Sequence, residues 1–123
     1  MKELLYLAAA FATLTAIAHS VLSERLVLRP LRAEETTGSV ISGRSRIRLV
    51  AAMFHLPSIF WFGIAVSMLL LDPGSAGTRE ALWVFAALFA LSGIGNFWAL
   101  ATPHPGGIML LATSALIAAN LIF

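Results

Sequence analysis

Histidine is the side chain of this sequence that is best suited to chemistry. The histidines are His19, His55 and His104. Neutral imidazole binds zinc, copper, nickel and iron well, and zinc is commonly held by four ligands. Three imidazole nitrogens and the carboxylate of Glu24 would complete such a shell. The sequence therefore predicts a transition-metal site formed by the three histidines and Glu24.

Three further polar side chains would orient the imidazole rings through hydrogen bonds. They are Asn96, Ser20 and Ser58. Haem is an alternative ligand, because two histidines on facing helices would serve as its axial ligands, and Gly93 and Gly95 would leave room for the ring. Two other interpretations remain open. The histidines would form only interhelical hydrogen bonds in an accessory or structural membrane protein, or they would relay protons in a small transporter or channel.

The composition places these residues in a membrane. Of the 123 residues, 59% are hydrophobic and 11% are charged, whereas soluble domains are about 45–50% apolar and about 25% charged. The length predicts one integral membrane domain over residues 1–123. The chain has no cysteine, which excludes disulfides, iron–sulfur clusters and Cys nucleophiles. An enzyme is the least favoured class, because the sequence has no Ser–His–Asp set and we expect no acid to be buried within the spans.

Four apolar runs predict four membrane-spanning helices, at about residues 4–28, 46–71, 79–100 and 103–123. A span needs about 20 apolar residues, each rising about 1.5 Å, to cross a hydrocarbon core of about 30 Å. The second run has no charged residue between Leu49 and Leu71, although it contains His55 and Pro57. Short connections favour antiparallel neighbours. The predicted fold is therefore all-α, an antiparallel up-down-up-down bundle of four transmembrane helices.

The basic residues are concentrated in the connection at residues 23–48. Those in it are Arg25, Arg29, Arg32, Arg44, Arg46 and Arg48. Cytoplasmic connections carry an excess of Lys and Arg. We therefore expect the connections at 23–48 and 101–103 to be cytoplasmic and both termini to lie outside. This topology would bring the histidines and Asn96 together at the cytoplasmic end of the bundle.

The same arginines predict the partners of the chain. We expect residues Arg25–Arg48 to contact anionic lipid headgroups of the bilayer. Small residues recur every fourth position at Ala8, Ala12 and Ala16, which favours close helix packing and suits a homo-oligomer or a larger membrane complex. A nucleic-acid partner is not expected, because no aromatic residues are interleaved with the arginines.

One stretch of the chain is similar to known proteins. The sequence AHSVLSERLVLRPL, followed by a histidine in the second predicted helix, resembles a family of small four-helix bacterial inner-membrane proteins. The resemblance covers roughly the first two predicted helices. It implies a multi-pass protein of the bacterial inner membrane, and it implies no activity and no site residue.

Overall fold

The structure, a computed structural model, describes residues 2–33, 43–72 and 74–123. These residues form α1 (Lys2–Ser23), a π-helical turn (Glu24–Leu28), α2 (Arg29–Ala33), α3 (Gly43–Leu70), α4 (Ala76–Leu100) and α5 (Pro105–Ile122). The described part of the chain contains no β-strand. The prediction of an all-helical fold is confirmed.

Four stretches of the described chain are long and apolar enough to span a membrane. They are Lys2–Ala33, Ser45–Leu70, Gly77–Leu100 and Pro105–Ile122. The arginine-rich connection is described only in part, because residues 34–42 and the Arg44 side chain lie outside the described residues. The predicted number of spans is confirmed for the part of the chain that the structure describes.

The first span continues further than the sequence predicted. We expected it to end near residue 28, because proline disfavours a helical conformation at the preceding residue. The chain instead remains helical to Ala33, through Pro30. The π turn lies directly before this proline, and in it the Arg29 N–H donates to the Glu24 carbonyl five residues earlier. Proline has no N–H to donate, and the wider π turn before it lets the helix continue through this position. Glu24, Arg25 and Arg29 therefore lie on one extended helix.

The last helix begins two residues later than predicted, and the difference involves a candidate site residue. His104 is extended, with φ −109° and ψ 134°, and its Nδ1 accepts from the backbone N–H of Gly106. It is therefore the N-cap of α5, and Pro105 occupies the first helical position, where its missing N–H costs nothing. The preceding helix, α4, ends at Leu100, and the left-handed conformation of its C-cap residue Ala101 (φ 52°) turns the chain.

The helices pack in the order α3, α1, α5, α4. The first helix packs against both α3 and α5, and α4 packs against α5, whereas α3 and α4 touch at only a few points. The buried face of α1 is built from small residues, listed here: Ala8, Ala9, Ala12 and Ala16. These alanines permit the close approach of α3 and α5. Because α3 and α4 remain apart, the assembly is open on one side.

Glycine allows α4 and α5 to approach closely. A Cβ at Gly93 would lie 2.8 Å from Cγ of Leu111 and 3.0 Å from the Gly107 carbonyl oxygen. A Cβ at Gly95 would meet no atom within 4 Å. Gly93 was predicted to leave room for a haem ring, but this position is filled by α5.

We expect Gly93→Ala to destabilise the protein by about 1–3 kcal/mol, since Leu111 and the α5 backbone must move apart to admit the methyl group. The matched control is Gly95→Ala in the same helix, which should be neutral or stabilising by up to about 1 kcal/mol, because alanine favours helix over glycine. The free energy of unfolding, measured by titrating mixed micelles with dodecyl sulfate, checks both. Equal changes in the two variants would contradict the proposed close approach.

Candidate functional site

A cleft of about 720 Å³ opens where α3 and α4 separate, and we call it the lateral cleft. Its walls come from the second half of α1, from α3, from the end of α4 and from the start of α5. The lining is mostly aliphatic and aromatic, and His19, Asn96 and His104 are among its few polar side chains. Of the described residues that line it, none is Asp, Glu, Lys or Arg. The cleft is therefore an apolar site with a small set of uncharged polar groups.

The His19 ring is held in place by α3. Its Nδ1 lies 3.0 Å from the hydroxyl oxygen of Ser58. The ring also packs edge-on against Trp61, with centroids 5.1 Å apart, and lies 6.0 Å from the centroid of Phe54. These contacts engage one ring nitrogen and leave Nε2 outside that hydrogen bond. The ring is also hydrogen-bonded to the Phe54 backbone, so His19 presents a fixed aromatic ring to the lateral cleft.

The His104 ring also has a defined hydrogen-bonding role. Its Nδ1 accepts the Gly106 N–H at 3.1 Å, so Nδ1 carries no proton in the neutral ring. The proton must then be on Nε2, which makes Nε2 a hydrogen-bond donor. A metal ion needs the lone pair of a deprotonated nitrogen, and His104 offers one only if it gives up its capping bond. At the lateral cleft, His104 is therefore a donor and not a ready metal ligand.

The Asn96 side chain contributes an unsatisfied acceptor. Its Oδ1 is buried and has no hydrogen-bond partner among the described residues. Leaving such an atom unpaired costs about 1–3 kcal/mol, and such atoms often have a functional explanation. Asn96 lines the lateral cleft, but this oxygen itself is closed off from solvent, so a donor on a molecule in the cleft would satisfy it only after the carboxamide rotates toward the cleft.

The third histidine, which is close enough to His19 for the two rings to interact electrostatically, lines a second, neighbouring pocket. Nδ1 of His55 lies 2.6 Å from the Ser20 hydroxyl oxygen, and its Nε2 lies 3.9 Å from a carboxylate oxygen of Glu24. Both oxygens of Glu24 accept from the guanidinium of Arg32, the second at 3.2 Å. These side chains border a second pocket of about 300 Å³, which we call the arginine pocket. It is lined by Ser20, Val21, Glu24, Arg25, Arg29 and His55.

Ser20, His55 and Glu24 form a Ser–His–carboxylate series that the sequence analysis missed. The series does not have the geometry of a catalytic triad, because 3.9 Å between His55 and Glu24 exceeds a hydrogen bond. The carboxylate is also bound at both oxygens by Arg32 and so does not orient the imidazole. Together with the His19–Ser58 bond, the Ser20–His55 bond joins α1 to α3 through a reciprocal pair of histidine–serine contacts.

The predicted metal ligands are divided between the two pockets. His19 and His104 line the lateral cleft, whereas His55 and Glu24 line the arginine pocket. Within the described ranges, no group of three or more His, Asp or Glu side chains is placed to hold an ion. The metal and haem sites stay predictions without a coordinating group behind them in this part of the chain.

Of the three side chains expected to orient the histidine rings, two are hydrogen-bonded to a ring and one is not. Ser58 and Ser20 do form hydrogen bonds to His19 and His55, respectively. Asn96 bonds neither ring, and its carboxamide oxygen is unpartnered among the described residues. Arg32 was not among the predicted site residues, because its contact with Glu24 requires the helix to continue through Pro30.

The support for a function of this chain is therefore geometric. It consists of the uncharged lateral cleft, with the unpaired Oδ1 of Asn96, and of the separate arginine pocket. Residues of α1 contribute to both. Comparison with known proteins found no matching family model, no matching curated protein and no matching solved structure.

Proposed function

We propose that this chain is a multi-pass membrane protein that binds a neutral, ring-headed amphiphile of the quinone class in the lateral cleft. The observation that carries the proposal is an apolar cleft, free of charged lining among the described residues, in which the buried Oδ1 of Asn96 lacks a partner. Small-molecule sites usually combine a concave apolar wall with a few placed polar groups. The lateral cleft has this combination.

Size and charge restrict the class of ligand. The cleft volume of about 720 Å³ falls within the range of about 300–1,000 Å³ that is typical of small-molecule pockets. A carboxylate or phosphate would be buried there without an opposite charge, at a large desolvation cost. The head of the ligand is therefore neutral. A long apolar tail would be accommodated beside it, since the cleft opens toward lipid between α3 and α4.

The polar groups favour a planar head with carbonyl or hydroxyl substituents. His104 offers an Nε2–H donor for a carbonyl oxygen, and Asn96 offers an acceptor for a hydroxyl. The rings of His19, Phe54 and Trp61 lie together at the wall, and aromatic faces pack favourably on a planar ring. A quinone in its oxidised and reduced forms supplies both the acceptor and the donor that this site would satisfy.

The orientation that we propose follows from the arginines. The connection at residues 23–48 and the turn at 101–103 are cytoplasmic, and both termini are outside, in a bacterial inner membrane. The chain has no cysteine, so single cysteines introduced as Lys2→Cys and Thr102→Cys report the topology directly. In intact cells, a membrane-impermeant maleimide should label the first and not the second. The reverse pattern would overturn the orientation and leave the cleft proposal untouched.

Tryptophan fluorescence tests whether a quinone binds in the lateral cleft. Trp61 lines the cleft and is 8% exposed, whereas Trp83 and Trp98 are 48% and 86% exposed. In a Trp83→Phe/Trp98→Phe protein, decylubiquinone should quench Trp61 with a saturable, one-to-one curve. A Trp61→Phe/Trp98→Phe protein, which retains only Trp83, reports quenching by probe that is merely dissolved in the detergent micelle.

A bulky residue in the cleft provides the second control. Ala99→Phe should weaken the saturable quenching about tenfold or more, a loss of about 1.4 kcal/mol, because Ala99 lines the cleft. Ala87→Phe, at an exposed position of the same helix, should leave it unchanged. Identical quenching curves for Trp61 and Trp83, or no response to Ala99→Phe, would refute the cleft as a quinone site.

A further inference from the structure

We propose that the arginine pocket binds the headgroup phosphate of an anionic phospholipid. This site is separate from the lateral cleft, and the proposal does not depend on what occupies the cleft. The pocket, of about 300 Å³, is lined by Arg25 and Arg29 together with Ser20, Glu24 and His55. Arginine binds phosphate oxygens through paired N–H donors, which makes it well suited to a phosphate ligand.

The arginine pocket lies at the π turn. Arg25 lies within it and Arg29 follows it, so two guanidinium groups four positions apart border the same space. Like charges at this spacing destabilise a helix unless an anion lies between them. π turns interrupting α-helices occur frequently at functional sites. The arrangement is therefore one that a bound anion would stabilise.

The charges of the pocket favour an anion in spite of Glu24. Both carboxylate oxygens of Glu24 accept from Arg32, so this acid is already neutralised by a third arginine. Among the described residues, no carboxylate makes an ion pair with Arg25 or Arg29. The hydroxyl of Ser20 and the ring of His55, bonded to each other at 2.6 Å, form the neutral polar wall. The pocket thus retains two positive charges.

The position of the pocket along the helix selects a lipid over a free anion. Val21 lines the pocket, and both Val21 and Ile17, one turn earlier on the same helix, are exposed. A phospholipid bound by Arg25 and Arg29 would lay its acyl chains along these apolar side chains. Free inorganic phosphate shares the arginine chemistry but gains nothing from the apolar surface.

Native mass spectrometry of the full chain, released from micelles, measures this binding. Phosphatidylglycerol should form more adducts than phosphatidylcholine of the same acyl chains. Arg25→Gln/Arg29→Gln should weaken phosphatidylglycerol binding about tenfold or more, since each arginine near a membrane surface contributes substantially to anionic-lipid binding. The matched control is Arg48→Gln, an exposed arginine of α3 that does not line the pocket, and it should change the binding less than twofold.

Each other outcome has a defined meaning. If Arg48→Gln weakens binding as much as the double variant, the effect is general charge and the site is refuted. If phosphatidylglycerol shows no preference over phosphatidylcholine while inorganic phosphate binds and responds to the double variant, the pocket is a free-anion site and the lipid proposal is overturned. Should the double variant fail to fold, the single variants Arg25→Gln and Arg29→Gln, both at exposed positions, decide the same question.

Discussion

Replacing Asn96 with leucine is expected to stabilise the ligand-free protein and, at the same time, to weaken binding of the reduced quinone. The buried Oδ1 of Asn96 has no partner among the described residues, and an unpaired acceptor of this kind costs about 1–3 kcal/mol. Leucine has a similar volume and carries no polar atom, so the cost disappears. The ligand loses the acceptor for its hydroxyl, which should weaken binding about tenfold or more.

The opposite signs of these two effects separate a ligand site from a structural asparagine. Asn120 provides the comparison, because it is 3% exposed in α5 and is not without an interaction partner. Asn120→Leu should destabilise the protein by about 1–3 kcal/mol, since it removes one member of a buried interaction. Unfolding in mixed micelles and displacement of decylubiquinone from the Trp61 site by decylubiquinol, the form that carries the hydroxyls, measure the two quantities. An Asn96→Leu protein that is less stable than the parent would show that Asn96 is structural.

Much of the fold could be predicted because membrane spans follow from composition and length. Runs of about 20 apolar residues are sufficient to indicate helices, and the structure places four such helices in the described chain. What the pattern could not indicate is how the helices pair. All four are apolar around most of their surface, so hydrophobicity alone does not distinguish the extensive α1–α3 contact from the sparse α3–α4 contact.

The helix ends were harder to predict, and the candidate site depends on them. The sequence predicts that the helix ends before Pro30, but the π turn lets the helix continue past it and brings Arg32 to Glu24. His104 was assigned to the first turn of the last helix, where its ring would be free to bind metal. Its actual role as N-cap uses Nδ1 and determines which nitrogen keeps the proton. Local backbone geometry, not residue type, therefore changed the chemistry assigned to this histidine.

The division of the histidines between two pockets has a similar cause. Residues 19 and 20 are adjacent in α1 but project in directions about 100° apart, as successive residues of a helix do. His19 consequently meets Ser58 beside the lateral cleft, while Ser20 meets His55 beside the arginine pocket. The topology expected from the sequence would bring the rings to one level in a membrane, but the helix face decides which of them can share a ligand.

Substitutions of His104 separate its capping role from its proposed role in ligand binding. His104→Ala removes the acceptor for the Gly106 N–H and should destabilise the protein by about 0.5–2 kcal/mol, the usual cost of losing an N-cap. His104→Asn should restore this stability, because asparagine is among the best N-cap residues. Neither variant retains an Nε2–H donor at the cleft. Both should therefore bind decylubiquinone about tenfold or more weakly, although only the alanine variant unfolds more easily.

The two His104 variants are informative because a histidine with a purely structural role would give a different result. If His104 served only as a cap, His104→Asn would restore stability and ligand binding together. If instead it were a metal ligand, both variants would lose a bound transition metal that the parent protein retains, which elemental analysis of the purified proteins would detect. Normal stability with impaired quenching of Trp61 in His104→Asn is expected only where the ring both caps α5 and donates its Nε2 proton to a molecule in the lateral cleft.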